Sequence, residues 1–229
     1  MTISGIKSNA RQALKGNFRV AASKAFLVMV ITFLNLFVLA GPLALGSADF
    51  YLSLFRGDKK TFEKAIDNGF RDFKRSFTVA LIITGFNLAL MLPFAIIAYF
   101  LPLAYVNSPN TVMFGVSPRL MYFFVTIVLP STGIATYFLL TWLLVRTQFT
   151  YHIMIDNPEL SARQCVKKSF ELTDGRVGWL IRYNLSFILW EIGAIFTLGL
   201  LALYVQPYMS ASNAGLYLKL ISNQENQKI

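Results

Sequence analysis

Along this chain, long uncharged apolar blocks alternate with short basic ones. No charged residue occurs between Arg75 and Arg119, and none between Arg119 and Arg146. Apolar stretches of about 18 residues or more without charge are the signature of membrane-spanning helices. Spans are therefore expected at 78–105 and 119–145. Pro93 and Pro102 soften the first, and Pro130-Ser131-Thr132-Gly133 loosens the second. Another span is expected over 179–205, ending at Gln206-Pro207-Tyr208. A half-helix at 207–221 and a polar tail at 222–229 follow.

The segment 25–55 is apolar but for Asn35 and Asp49. Its helical length would be about 45 Å, too long for one straight span and too short for two. Gly41-Pro42 interrupts it, because proline lacks the amide donor and collides with the preceding turn. The pattern predicts a hinged pair, 25–40 and 43–55. A single tilted span is the alternative.

Three basic blocks carry helical periodicity instead. In 1–24, Ile6, Ala10, Leu14, Phe18 and Ala21 form one stripe, and Lys7, Arg11, Lys15 and Arg19 another. That is the pattern of a helix lying in a membrane interface, with its cations at lipid headgroups. A helix packed on its own protein with a solvated basic face would show the same pattern. In 56–77, Phe62, Ile66, Phe70, Phe73 and Phe77 share a face, with Asp58 as the expected cap. In 157–175, Ala162, Val166, Ser169, Phe170 and Thr173 lie opposite Arg163, Lys167, Lys168 and Glu171. Asn157 is the expected N-cap, Pro158 the first helical residue and Gly175 the stop.

Composition sharpens the membrane reading. Charged residues make up 14% of the chain, against about 25% in soluble domains. The formal net charge is +10. With cations beside apolar spans, that charge points to anionic lipid rather than nucleic acid. The positive-inside rule places the basic blocks and the N-terminus in the cytoplasm and the uncharged loop at 104–118 outside. The first 24 residues hold five cations, and the apolar run from Ala25 has no small-residue cleavage site before a polar segment, so no cleavable signal peptide is expected. A lone Cys165 and a lone His152 leave no disulfide, cysteine-rich or histidine-rich metal site.

PLALGSADFYLSL after the first apolar segment faintly echoes PYMSASNAGLYLKL after the last. ARQALKGNF at 10–18 and a longer stretch from Tyr151 to Leu220 carry a resemblance. The latter includes IDNPELS, Ser169, Gly175, LSFILW at 185–190, TLG at 197–199, Pro207-Tyr208 and LYLKL. Together they resemble the domain-of-unknown-function 975 family of bacterial membrane proteins. The resemblance implies a multi-spanning protein of the cytoplasmic membrane with no assigned catalytic residues. Thr173-Asp174 before Gly175 departs from the family pattern, and Glu191 is not a feature of it.

Five polar residues are expected at membrane depth: Asn35, Asp49, Asn87, Asn184 and Glu191. An ionised acid at the bilayer centre costs about 2.5–3.5 kcal/mol on the insertion scale. Glu191 must therefore face a bundle, be protonated or be paired. It is either a proton or cation site, with Asp49 and the broken helices lining it, or a neutral acid bonded to Asn35 or Asn87. For Asp49 a third reading, capping or snorkelling at the interface, comes first. No HExxH, phosphate loop or nucleophile elbow occurs. A Ser/His/Asp arrangement could use only His152 beside Asp156. No enzyme activity, cofactor or metal is expected.

The sequence thus predicts an all-α, polytopic helical membrane protein as one integral domain. It has about four full spans plus two proline-hinged half-spans (hinges Gly41, Pro42 and Pro207) and basic amphipathic interfacial helices. Two functions fit. One is a small permease or transport-accessory protein for a small solute, peptide or lipid. The other is a non-catalytic envelope, immunity or scaffold protein that binds anionic membrane lipid and a protein partner, or a second copy of itself.

Overall fold

The computed structural model describes residues 2–15, 17–24, 38–58, 60–107, 117–197 and 199–226, and every regular element among them is helical. The expected span at 25–40 falls almost wholly outside the described residues. In chain order the helices are α1 (Ile3–Leu14), α2 (Ala40–Arg56), α3 (Phe62–Arg71) and α4 (Phe73–Asn107). Then come α5 (Pro118–Phe123), a π-helical turn (Phe124–Val128) and α6 (Leu129–Thr147). The last are α7 (Thr150–Asp156), α8 (Ala162–Thr173), α9 (Val177–Leu185), α10 (Ile188–Phe196) and α11 (Ala202–Asn226). They sort into two compact units, Met1–Ile82 with Val145–Ile229, and Ile83–Leu144.

The first unit has a conventional core. Ile6, Ala10 and Leu14 of α1 are buried, and α1 packs on α11. The apolar stripe of α1 is thus covered by protein. Helix α2 packs on α3, α7 and α11, burying Phe50, Tyr51 and Leu52. Glycines bring α2 and α3 to backbone contact. A Cβ on Gly46 would lie 2.7 Å from the Ile66 Cα, and one on Gly69 would lie 3.0 Å from the Gly46 nitrogen. Gly41 meets the Ser76 backbone of α4 in the same way. Pro42 stands in the first turn of α2, where a missing amide removes no helical bond. The two echoing segments are α2 and α11, which pack on each other.

Several boundaries differ from expectation. Asp58 caps nothing: its amide donates to the Ser53 carbonyl after Gly57 turns left-handed at φ 76°, and Thr61 precedes α3. The predicted 56–77 helix breaks at Asp72. α3 buries Phe62, Ala65 and Gly69, while Phe70 remains 39% exposed. Asn157 ends α7 rather than opening α8, its side chain donating to the Ile153 carbonyl at 2.8 Å. The true cap is Ser161, which forms a capping box with Gln164. That pairing satisfies two amides that Asn157 would have left open. Gly175, at φ 67°, does follow the end of α8.

The stretch 179–205 is not one helix. Ser186 donates from Oγ to the Tyr183 carbonyl at 2.5 Å where α9 ends. Gly199, at φ 88°, donates its amide to Ala194 at 2.8 Å beyond α10. α9 and α10 each have 9 residues. Each is about 13–14 Å long, under half the thickness of a bilayer core. The break expected at Pro207 is absent, since α11 runs through it.

The second unit holds most of α4 and all of α5. Helix α4 is continuous through Pro93 and Pro102. The π-helical turn immediately precedes Pro130. A proline ring collides with the carbonyl four residues back, and a wider turn at 124–128 relieves that. Phe94 of α4 lies against Gly133 of α6, where a Cβ would be 3.0 Å from the ring. Among the described residues, two helical stretches are long and apolar enough to cross a membrane. They are Phe73–Phe100, with none of its most apolar window buried, and Phe124–Asp156, with 11% buried.

Candidate functional site

The polar residues singled out by sequence do not converge. Asn35 lies outside the described residues. Asp49, only 6% exposed, is held on α2 facing the α3 approach. Both its oxygens accept from Lys60 Nζ at 2.8 Å, and Oδ2 also accepts from the Asn68 amide at 3.0 Å. A buried carboxylate needs such partners because its desolvation is otherwise uncompensated. Asn87 donates to the Ile83 carbonyl of its own helix at 2.7 Å. Asn184 donates to Gln148 Oε1 at 3.2 Å.

Glu191 stands in the first turn of α10, where a negative charge is favoured by the helix dipole. It is exposed. Around it in sequence, Leu189 is 78% and Phe196 83% exposed.

The cations of the N-terminal helix divide. Lys7 donates to the Ser186 carbonyl at 2.9 Å and sits 3.9 Å above the Phe187 ring. Burial there, with the like charge of Arg11 adding to it, lowers its pKa. Arg11 lies over Tyr208, 5.6 Å from the ring centre. Lys15 and Arg19 remain exposed. The N-terminal segment therefore rests Lys7 and Arg11 of α1 on its own protein and offers Lys15 and Arg19, beyond the end of α1, outward.

His152 and Asp156 form no catalytic pair. Asp156 accepts from Arg56 at 2.7 and 2.8 Å and from the Tyr217 hydroxyl at 3.0 Å. The His152 ring instead lies against Tyr217, 5.2 Å between centres, with no hydrogen bond among the described residues. Burial and the neighbouring Asp156 charge raise the Tyr217 pKa above the ordinary phenol range. No group of three potential metal ligands occurs among the described residues.

Sequence reasoning missed a cavity of about 420 Å³ in the first unit, lined by Asp72, Lys74, Arg75, Thr78, Ser161, Ala162 and Arg163. Two elements form it, the first turns of α4 and the start of α8. Arg75 is its fixed wall. Its guanidinium donates to the Met154 carbonyl at 2.7 Å and to the Pro158 carbonyl, and its Nε pairs with Asp72 at 3.2 Å. Asp72 loses solvation there, which raises its pKa against the pull of Arg75. Lys74 and Arg163 are exposed. The signal was present as Lys74-Arg75 directly before an uncharged run and Ser161-x-x-Gln164 before an amphipathic one.

These features define a class: an all-helical chain with two helices fit by length and composition to cross a membrane, and basic helices beside them. The chain belongs to the family described as "Protein of unknown function (DUF975)", whose model matches residues 1–224. No curated protein and no solved structure matches it.

Proposed function

We propose that the chain is a non-catalytic protein of the cytoplasmic membrane that presents a basic platform to anionic lipid and to a partner. In this reading the uncharged run of α4 and the stretch 124–144 lie in lipid, and the basic blocks lie on the cytoplasmic side. The observation that carries it is the division of faces in the first unit. α1, α3 and α8 bury their apolar residues against protein, while Lys15, Arg19, Lys64 and Lys167 point outward. Each cation near an anionic leaflet contributes about 1 kcal/mol. The chain is reconstituted in liposomes, and its tryptophans are quenched by brominated phosphatidylglycerol or brominated phosphatidylcholine. Preferential quenching by the anionic lipid, lost in Lys15→Glu/Arg19→Glu and in high salt, is expected. A preference indifferent to both changes refutes the platform.

A second reading, a small permease or transport-accessory protein, keeps one supporting observation. Glu191 is an acid exposed among large exposed apolar side chains, a position that lipid or a second copy must cover. Covered without a partner, it would be protonated or carry a cation. Glu191→Gln that abolishes pH-dependent solute uptake in proteoliposomes, with folding intact, selects this reading. Absence of any uptake in the unaltered chain removes it.

A further inference from the structure

The cavity at the root of α4 has the components of a phosphate site. Lys74 and Arg163 reach its rim from two helices, and neither has an ion-pair partner among the described salt bridges. Arg75 carries a third positive charge into the wall but is already engaged by three carbonyls and Asp72. With one carboxylate present, the lining keeps an excess of two positive charges. The lining includes the N-terminus of α8. The Ser161 hydroxyl caps Gln164, whereas the first-turn amides of Ala162 and Arg163 have no acceptor within the helix. Such amides and the helix dipole favour an anion. Thr78 and the stems of the basic side chains add apolar surface, which suits an ester better than a bare ion.

We propose that this cavity binds the phosphate group of a phosphate ester, with Lys74 and Arg163 as its movable clamps and the start of α8 as its fixed donor. The site stands where α4 begins its uncharged run at Ser76. If that run is in lipid, Lys74 is at headgroup depth and the ester is that of an anionic phospholipid. Only the source of the phosphate rests on the membrane reading above; a soluble ester would meet the same groups.

The test uses the full chain in detergent micelles, with retained lipid counted by native mass spectrometry. Phosphatidylglycerol and phosphatidylcholine are supplied in equal amounts, with and without sn-glycerol 3-phosphate. The unaltered chain is expected to retain phosphatidylglycerol. Lys74→Gln/Arg163→Gln should weaken that about tenfold or more, and Lys74→Arg/Arg163→Lys should restore it. The charge-matched control, Arg182→Gln/Lys219→Gln, at two exposed cations outside both the cavity and the platform, should retain lipid as the unaltered chain does. Retention indifferent to glycerol phosphate assigns the site to lipid. Direct binding of glycerol phosphate, lost in the same double variant, assigns it to a soluble ester. Equal retention in the double variant and the unaltered chain, or equal loss in the control, overturns the site. The platform reading would survive that result, and fails separately if the chain stays dispersed without detergent.

Discussion

Gly46 is the position at which one added methyl is most informative. Its Cβ would meet the Ile66 Cα at 2.7 Å and the Ala65 carbonyl oxygen at 2.9 Å. Backbone atoms do not rotate out of the way as a side-chain end does. To restore ordinary contact near 3.5 Å, α2 and α3 must separate by about 0.8 Å. Overpacking of this kind costs about 1–3 kcal/mol. Alanine's better helix propensity returns up to about 1 kcal/mol, leaving a net loss of up to about 2 kcal/mol and a deficit of about 1–3 kcal/mol against an unobstructed glycine-to-alanine change. Gly178→Ala is the matched control, since a Cβ there meets nothing within 4 Å. It is expected to be neutral or mildly stabilising. Both variants are unfolded by SDS titration in mixed micelles, followed by the fluorescence of Trp179 and Trp190. A Gly46→Ala chain as stable as Gly178→Ala would refute the close approach of α2 and α3.

Among the described residues, Lys60→Ala leaves the Asp49 carboxylate with the Asn68 amide alone. The loss should be about 1–3 kcal/mol, and Asp49→Asn in the same background should recover part of it in the same titration. Ser161→Ala removes the capping box of α8 and should cost about 1 kcal/mol. Faster amide hydrogen exchange confined to the first turn of α8 is the readout. Tyr217 holds its proton more tightly folded than unfolded, so its contribution is whole below the unfolded value near pH 10. It falls as the pH climbs above that. Spectrophotometric titration should leave Tyr217 among several tyrosines un-ionised beyond about pH 10, Tyr51 and Tyr183 also being raised by burial, and Tyr217→Phe should lower their number by one.

The helical class and the uncharged runs were legible because absence of charge over 26 or 43 residues is a one-dimensional signal. Helix ends were less so. Asn157-Pro158 reads as the start, whereas the reciprocal bonds of Ser161 and Gln164 are what open α8. The 179–205 stretch looked like one span because hydropathy does not register Ser186 and Thr197 bonding to their own backbone, or Gly199 turning left-handed. Asp49 was seen as an acid at an interface. Its partner Lys60 lies eleven residues away across the α2–α3 turn, a distance that helical periodicity does not bridge. The role of Gly41 could not be read at all, because close approach belongs to a pair of helices and not to either alone.

The central claim is that the exposed apolar surface of α4 and α6 is solvated by lipid. A nitroxide is placed at Leu92 or at Phe138, 54% and 65% exposed, in a Cys165→Ser chain reconstituted in liposomes. Its relaxation is compared in oxygen, which concentrates in lipid, and in a water-soluble nickel chelate. The account predicts strong oxygen and weak nickel relaxation at both positions. Strong nickel relaxation at either, or shielding from both reagents, would contradict it.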